Sequence, residues 1–407
     1  MGEQRTPFTR RQYLKGAGAA TAAGLLAGCT GSGDGGDETT ANADATTNEG
    51  TTAQTTTDTS VTASMAPVGE VSLDEPPEDV FVVFPQYADM AVALGHGDAV
   101  NSIYVPEMSG TTMNHYYERL DGVSFDWEGL PDPYGDGINE EQLYSLDSDV
   151  HFLDPAYLLT QDNWSVGDID DIAANIGPWF GNFYSGTHDQ PPEQYRDAYE
   201  YYTLWEVFEN VADVFGERER AEALRGVHED LVSTIEADLP PEAERPTVAR
   251  ATYSQGTFYT YHLNKPGYWF ADTRPLAAND VFADEEWSNF WGSVGYEAML
   301  EADPDVILNL WGATPRYDMD SVRESLRNSD AGGTLSAVEN DRVYASGMRY
   351  QGPLMNLFQI EMTAKQLYPD VFGEWPDYEH GAHYPEIPAD EQLFDRGRVA
   401  SIVTDGA

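Results

Sequence analysis

Large aromatic side chains gather in the loops that follow the predicted strands, and their chemistry is that of a binding wall. Aromatic rings offer flat, largely apolar surfaces that suit a large, partly apolar chelate or macrocycle. A single aromatic residue is as readily explained as core, so the interpretation rests on the set. The set comprises Tyr87, Tyr157, Trp179, Phe180 and Tyr184 in the first half of the chain, and Tyr253, Tyr259, Tyr261, Tyr268, Trp269, Trp311 and Tyr350 in the second.

Basic residues are scarce, with 21 Lys and Arg against 71 Asp and Glu, so a basic residue beside these aromatics is informative. An arginine fork binds carboxylate or catecholate oxygens, and its planar face stacks on rings. Four of the 21 lie within the first 15 residues, and many of the others fall on predicted helices, where pairing with surface acids explains them. The loop arginines are therefore candidate contacts for an anionic ligand, and they are Arg274, Arg316 and Arg349.

Histidines support an alternative ligand, a bare divalent cation such as zinc or manganese. None of the seven candidates shows a close ligand spacing: His96, His115, His151, His188, His262, His380 and His383. A surface-anchored enzyme is a further alternative. The chain lacks the sequence signatures of phosphate-binding loops, nucleophile elbows and zinc proteases, so we predict no catalytic residue, no resident metal and no intrinsic cofactor.

The first 29 residues resemble a twin-arginine export signal joined to a lipobox. Arg10 and Arg11 form a charged pair, a short apolar run follows, and small residues precede Cys29, the one cysteine of the chain. The resemblance implies cleavage before Cys29 and a lipid on its new N-terminus. We expect residues 30–72, rich in Thr, Gly and Asp, to form a disordered stalk between that anchor and the folded part.

The formal net charge of −50 indicates the environment before it indicates the function. Acidic residues recur along the whole chain, which is typical of a surface adapted to high salt, and we expect a halophilic source. The same charge excludes binding to nucleic acid. No disulfide within the chain is possible with one cysteine.

The folded part alternates short β-rich segments with helical patterns, which predicts parallel sheets covered by helices. In the first half we predict strands over 79–84, 99–105 and 150–153, each followed by a proline that stops the strand: Pro85, Pro106 and Pro155. The second half repeats the alternation, with strands over 247–253, 305–310 and 342–345 and helices over 296–302, 321–327 and 354–367. A ligand cleft belongs at the carboxyl ends of such strands.

A long amphipathic helix over residues 217–239 separates the two alternating regions and ends at Pro240 and Pro241. We predict that it joins two α/β lobes, residues 73–216 and 240–407, as a rigid strut with the ligand cleft between them. An ordinary surface helix is the alternative.

The order of these elements resembles the class III periplasmic solute-binding proteins over about residues 75–373. The matching passages lead from a helix into a strand, and they are residues 141–150, 296–307 and 337–344. The resemblance implies a monomer that takes up a ferric siderophore, cobalamin or haem and delivers it to an ABC permease with its ATPase. It also implies a small hinge motion between the lobes. Together with the lipobox, it implies that the protein is held by its lipid at the outer face of the cytoplasmic membrane.

Overall fold

The computed structural model describes residues 59–135 and 137–406. Within these residues the strands are β1 (Val61–Met65), β2 (Gly69–Leu73), β3 (Val80–Val82), β4 (Val150–Phe152), β5 (Thr247–Ser254), β6 (Thr257–Tyr261), β7 (Asn279–Asp280), β8 (Trp291–Val294), β9 (Val306–Asn309) and β10 (Val343–Ala345). The α-helices of the first half are α1 (Pro85–Ala93), α2 (Pro106–Tyr117), α3 (Glu140–Leu146), α4 (Pro155–Leu158), α5 (Val166–Asn175), α6 (Tyr184–Thr187), α7 (Glu193–Arg196) and α8 (Leu204–Phe215). Those of the second half are α9 (Arg218–Asp238), α10 (Tyr296–Ala302), α11 (Met319–Asn328), α12 (Ser336–Glu339), α13 (Pro353–Leu367), α14 (Pro369–Phe372) and α15 (Arg396–Asp405).

The sheet of the first lobe is small and parallel. Strands β3 and β4 pair directly, and isolated bridges extend the sheet at Val100 on one side and Trp179 on the other. The predicted strand over 99–105 is wrong, since only Val100 pairs as a strand residue there. The Ser102 hydroxyl takes the place of the backbone, donating to the Val82 carbonyl and accepting from the Val82 N–H, which interrupts the ladder.

The three prolines placed at strand ends begin helices. Pro85, Pro106 and Pro155 lie in the first turns of α1, α2 and α4, where the missing N–H costs nothing and the fixed φ suits the helix. Helices therefore start immediately at the carboxyl edge of the first-lobe sheet.

The second lobe contains a mixed sheet in the order β10-β9-β5-β6-β8, with β7 beside the start of β5. Strands β10, β9, β5 and β7 are parallel, whereas β6 and β8 are antiparallel to their neighbours. The two-lobed α/β fold is confirmed, and the antiparallel strands are an addition to the parallel sheet that the sequence predicts. A two-residue turn makes them possible, because Gln255 and Gly256 both adopt positive φ, as tight hairpins require.

The predicted stalk ends earlier than residue 72. Strands β1 and β2 form an antiparallel hairpin that packs on α8. Ala63 and Met65 are buried on one face of β1 while Thr62 and Ser64 are exposed, the period-2 alternation of a half-buried strand. The low apolar content of the preceding residues masks this short alternation. The signal, the lipidation site and residues 30–58 of the stalk lie outside the described residues.

Helix α9 covers residues 218–238 of the predicted 217–239. It packs against α8 of the first lobe, against α13 and α15, and against the short 3-10 helix Arg274–Leu276 of the second lobe. Helix α13 is buried along its whole length and packs against α1, α2, α8 and α9. Thus a helix that the sequence assigns to the second lobe forms much of the core of the first.

Candidate functional site

A cavity of about 230 Å³ lies between the lobes, at the carboxyl edges of their sheets. The first lobe contributes Tyr104, which lies two residues before the start of α2, and Met108, which lies in the first turn of α2. The second lobe contributes side chains from β5 and β6 and from the loops after β9 and β10. The lining residues are Tyr104, Met108, Thr252, Tyr259, Tyr261, Trp311, Arg316, Tyr317 and Arg349.

Arg349 is the best-defined group of this cavity. Its guanidinium carbon lies 4.7 Å from the ring centre of Trp269, 4.8 Å from that of Tyr350, 5.1 Å from that of Phe290 and 5.5 Å from that of Trp311. Nη2 donates a 2.8 Å hydrogen bond to the Tyr350 hydroxyl, whereas the buried Nε has no partner among the described residues. Burial lowers the pKa of Arg349, but the surrounding tyrosine hydroxyls outweigh it and the pKa lies above its ordinary value. These four rings form an aromatic cage around Arg349. The arginine within it is charged and keeps at least one N–H without a hydrogen-bond acceptor among the described residues.

Arg316 adds a second positive charge at the mouth of the cavity, where its side chain is exposed. It hydrogen-bonds Tyr104, whose pKa is raised first by burial and also by Tyr350, against the lowering effect of Arg316. Neither Arg316 nor Arg349 forms an ion pair with a carboxylate of the described residues, and none of the lining residues is acidic. In a chain of net charge −50 this is a distinct positive region.

Seven of the fifteen aromatic and arginine candidates meet at this cavity. Trp311 and Arg349 line it, and Trp269 and Tyr350 support the guanidinium. Arg316, Tyr259 and Tyr261, also candidates on sequence grounds, line it as well. They come together because each lies on a strand of the second sheet or in a loop that follows one.

The first-lobe aromatics of the prediction lie elsewhere. Tyr87, Trp179 and Phe180 are buried in the first-lobe core, where the Tyr87 hydroxyl accepts from the Asn182 N–H and the Trp179 indole donates to the Ile169 carbonyl. Tyr184 packs against Phe183 and Tyr199. Packing and buried hydrogen bonds account for all four, which is the core alternative that the sequence left open.

Two second-lobe candidates also lie away from the cavity. The Tyr253 hydroxyl pairs with those of Tyr296 and Ser325 in a separate apolar cluster. Arg274 donates to the carbonyls of Lys265 and Gly267. Both hydrogen bonds come from Nη1, which is therefore engaged by the backbone of its own loop.

Among the aromatic and polar lining residues, sequence reasoning missed three, Tyr104, Thr252 and Tyr317. Thr252 was hidden by its position inside a predicted strand, because an inward-facing strand residue looks the same whether it meets core or ligand. Tyr104 sat in the strand wrongly predicted over 99–105. Tyr317 directly follows Arg316, and the same strand-end argument that found Arg316 would have found it.

The histidines form no common site. His262 lies 3.4 Å from Asp280, His96 lies 3.6 Å from Glu217, and none of the cavity-lining residues is a histidine. Within residues 59–135 and 137–406 no group of three or more His, Cys, Asp or Glu side chains is arranged to hold a metal ion. In the same part of the chain no helix combines the length and apolarity that crossing a membrane demands.

Two α/β lobes with an aromatic, positively charged cavity between them define a binding protein for a small molecule. The sequence model described as "Periplasmic binding protein" matches residues 80–350, and the chain belongs to this family, in the class III siderophore and cobalamin type. Members of the family are transport binding proteins for small-molecule ligands. No curated protein matches the sequence significantly.

Solved structures show the same fold. A periplasmic binding protein from Veillonella parvula aligns with a TM-score of 0.53 at 16% identity, covering 78% of this chain and 94% of that one. The TroA-like periplasmic binding protein FepB from Veillonella parvula aligns with a TM-score of 0.53 at 16% identity, covering 85% and 95%. Ceue from Helicobacter pylori, solved with Ni(II) bound, aligns with a TM-score of 0.50 at 14% identity, covering 77% and 90%. At these identities the likeness concerns the fold.

Proposed function

We propose that this protein captures an anionic metal chelate, with a ferric siderophore as the leading cargo, and delivers it to an ABC permease and its ATPase. The observation that carries the proposal is the pair Arg316 and Arg349, which have no acidic partner among the described residues and face an aromatic cavity. Cobalamin and haem remain open as cargo, because aromatic walls with one or two arginines serve them too.

Electrostatics favour a chelate over a bare cation. Two unpaired arginines raise the free energy of a naked divalent ion in the cavity, whereas an anionic complex gains charge-assisted hydrogen bonds there. Net charge −50 on the whole chain would otherwise repel such a complex, so local positive charge is required. The cavity thus selects against zinc or manganese as free ions, and its lining contains no Asp, Glu or His that could ligate one.

The cavity volume also limits how the cargo is held. About 230 Å³ is below the roughly 300–1,000 Å³ typical of pockets for drug-sized ligands. A siderophore complex therefore either protrudes at the mouth or requires the lobes to separate. We infer that α9 acts as the strut of this motion, since it packs on elements of both lobes, and that the opening is small.

We further propose that the protein is exported by the twin-arginine route, is held by a lipid on Cys29 at the outer face of the cytoplasmic membrane, and works as a monomer in a salt-rich environment. Support comes from the Arg10 and Arg11 pair, the apolar run before Cys29 and the acidic composition. Mass spectrometry of the membrane-extracted protein should show an N-terminal peptide beginning at a lipid-modified Cys29. An intact N-terminus, or an unmodified cysteine, would refute the anchor.

Tryptophan fluorescence titration in molar KCl tests the cargo, because Trp311 lines the cavity and Trp269 supports Arg349. The panel contains ferric siderophores, cobalamin, haem, and free zinc and manganese. We expect saturable quenching by one chelate and none by free metal. Response to free zinc or manganese alone would favour the bare-cation alternative, and turnover of a chelate would indicate an enzyme.

A further inference from the structure

A long segment without helix or strand, residues 374–395, crosses between the two lobes on the way from α14 to α15. Irregular segments longer than about 12–15 residues are uncommon in compact domains and are usually functional or disordered. This one is ordered by specific contacts with both lobes. It also lies beyond residues 80–350, the part that matches the family. We call it the strap.

The strap is held down by one buried carboxylate. Glu361 of α13 is fully buried and accepts three hydrogen bonds of 2.7 Å, from the Tyr384 hydroxyl, the Leu393 N–H and the Arg396 guanidinium. The same guanidinium lies 5.3 Å from the ring centre of Tyr384. The later part of the strap is therefore fixed to the central helix.

The earlier part of the strap contacts a wall of the ligand cavity in the second lobe. His380 Nδ1 lies 3.0 Å from the carbonyl oxygen of Tyr317, a lining residue. Arg323 of α11 donates to the Tyr378 carbonyl at 3.4 Å, and the Tyr378 ring is buried in the second-lobe cluster. This end of the strap moves with the second lobe.

A few residues later the strap contacts α2 of the first lobe. The Tyr384 N–H donates to the His115 carbonyl at 3.0 Å, and Arg119 donates to the Tyr384 carbonyl at 2.7 Å. His383 Nδ1 lies 2.7 Å from the Glu118 carboxylate. The other end of α2 carries Met108 into the opposite wall of the cavity.

We infer that the strap ties the two walls of the cavity together and limits how far the lobes separate. His380 and His383 are only three residues apart along the chain. His380 contacts the Tyr317 loop, and His383 contacts Glu118 at the end of α2. Opening the cavity therefore requires breaking one of these contacts. If the cavity holds the proposed chelate, which this step assumes, the strap slows its entry and release.

Distance measurement between spin labels tests the strap without any cargo. The full chain carries Cys29→Ser, with labels on the exposed positions Tyr144→Cys in the first lobe and Leu300→Cys in the second. The variant His380→Ala/His383→Ala should give a broader distance distribution with a longer mean than the unaltered strap. When His380→Asn replaces His380→Ala in the double variant, the asparagine keeps a donor for the Tyr317 carbonyl. The mean distance should then return part of the way to that of the unaltered strap.

The matched control is Glu386→Ala, an exposed strap residue whose side chain has no hydrogen bond or ion pair with the described residues. It should leave the distribution unchanged. If the double variant does not fold, the single variants His380→Ala and Glu118→Ala provide the same comparison, since each removes one of the two contacts. Identical distributions in folded strap variants and the unaltered chain would overturn the inference. Because no chelate is present, failure of the proposed cargo would not affect this result.

Discussion

At the scale of single residues, the aromatic cage around Arg349 fixes a positive charge in the cavity and orders its side chain. Four rings lie within 5.5 Å of the guanidinium carbon, so the side chain is held in place before any ligand arrives. Pre-ordering of this kind removes the entropy cost of fixing a long side chain on binding. The Nε–H still has no hydrogen-bond partner among the described residues.

Replacing Arg349 with alanine should weaken binding of the anionic chelate found by titration. A hydrogen bond to a charged group contributes about 1.5–3 kcal/mol, which corresponds to roughly 10- to 150-fold in Kd. Arg327→Ala is the matched control, since Arg327 is exposed and paired with Asp341 far from the cavity lining. Calorimetric titration of both variants makes the comparison. Equal affinities in the two would remove Arg349 from the site.

His151 gives a second prediction, on stability. Its ring is fully buried in β4, with Nδ1 3.0 Å from the Gly177 carbonyl, and burial lowers its pKa to about 4. In the unfolded chain the His151 ring takes up a proton near pH 6.5, whereas in the folded chain it stays neutral until about pH 4. The neutral ring therefore contributes fully to the free energy of unfolding above pH 6.5, and this contribution is lost as pH falls toward 4. His151→Gln should remove up to about 3 kcal/mol of this pH dependence.

Denaturant unfolding at several pH values measures this effect as a difference from the unaltered chain. The difference matters because burial raises the pKa of Asp89 to about 7 and of Asp154 to about 6, and these groups act with the opposite sign. His188→Gln, at an exposed position, is the control. A His151 variant with unchanged pH dependence would contradict the assignment.

At the scale of elements, the N-terminal hairpin shows how a short strand is hidden in sequence. Met65 is buried against the body of the first lobe, and the Asn182 side chain donates to the carbonyl of Ala66 beyond it. These are tertiary contacts that composition does not reveal, which explains why residues 61–72 were expected to be stalk.

Met65→Ala tests whether the hairpin is part of the cooperative fold. Truncating a buried methionine leaves a cavity and costs roughly 2–5 kcal/mol. Ser64→Ala, on the exposed face of the same strand, should change the free energy of unfolding little. Chemical denaturation reports both values. A Met65 variant as stable as the Ser64 variant would mean that the hairpin unfolds separately from the rest.

Elements with a strong local pattern could be predicted from the sequence, and α10 agrees with its prediction to the residue. The second-lobe half of the site was also predictable, because Trp311, Arg316 and Arg349 follow strands with clear β patterns. The first-lobe half was not. Tyr87 and Tyr104 look alike in sequence, yet Tyr87 is 1% exposed in the core and Tyr104 lines the cavity, a difference set by the path of the chain after each strand.

At the scale of the whole molecule, negative charge is spread along the chain, whereas the cavity between the lobes is positive. The acidic residues are spread along the chain, and the two unpaired arginines lie where the lobes face each other. Helix α9 contacts elements of both lobes, and the strap contacts α2 in the first lobe and Tyr317 in the second, so we expect both to restrict the relative movement of the lobes. If the protein works as proposed, we expect cargo release to need only small displacements of the lobes.

The most direct test of the central claim is the position of iron in crystals grown with the ferric chelate that the titration identifies. Anomalous scattering at the iron edge locates the metal independently of any assumption about the ligand. We expect one strong peak between the lobes, beside Trp311, Arg316 and Arg349, with ligand oxygens within hydrogen-bond distance of an arginine. A peak elsewhere on the protein, or iron bound with the arginines uninvolved, would contradict the account.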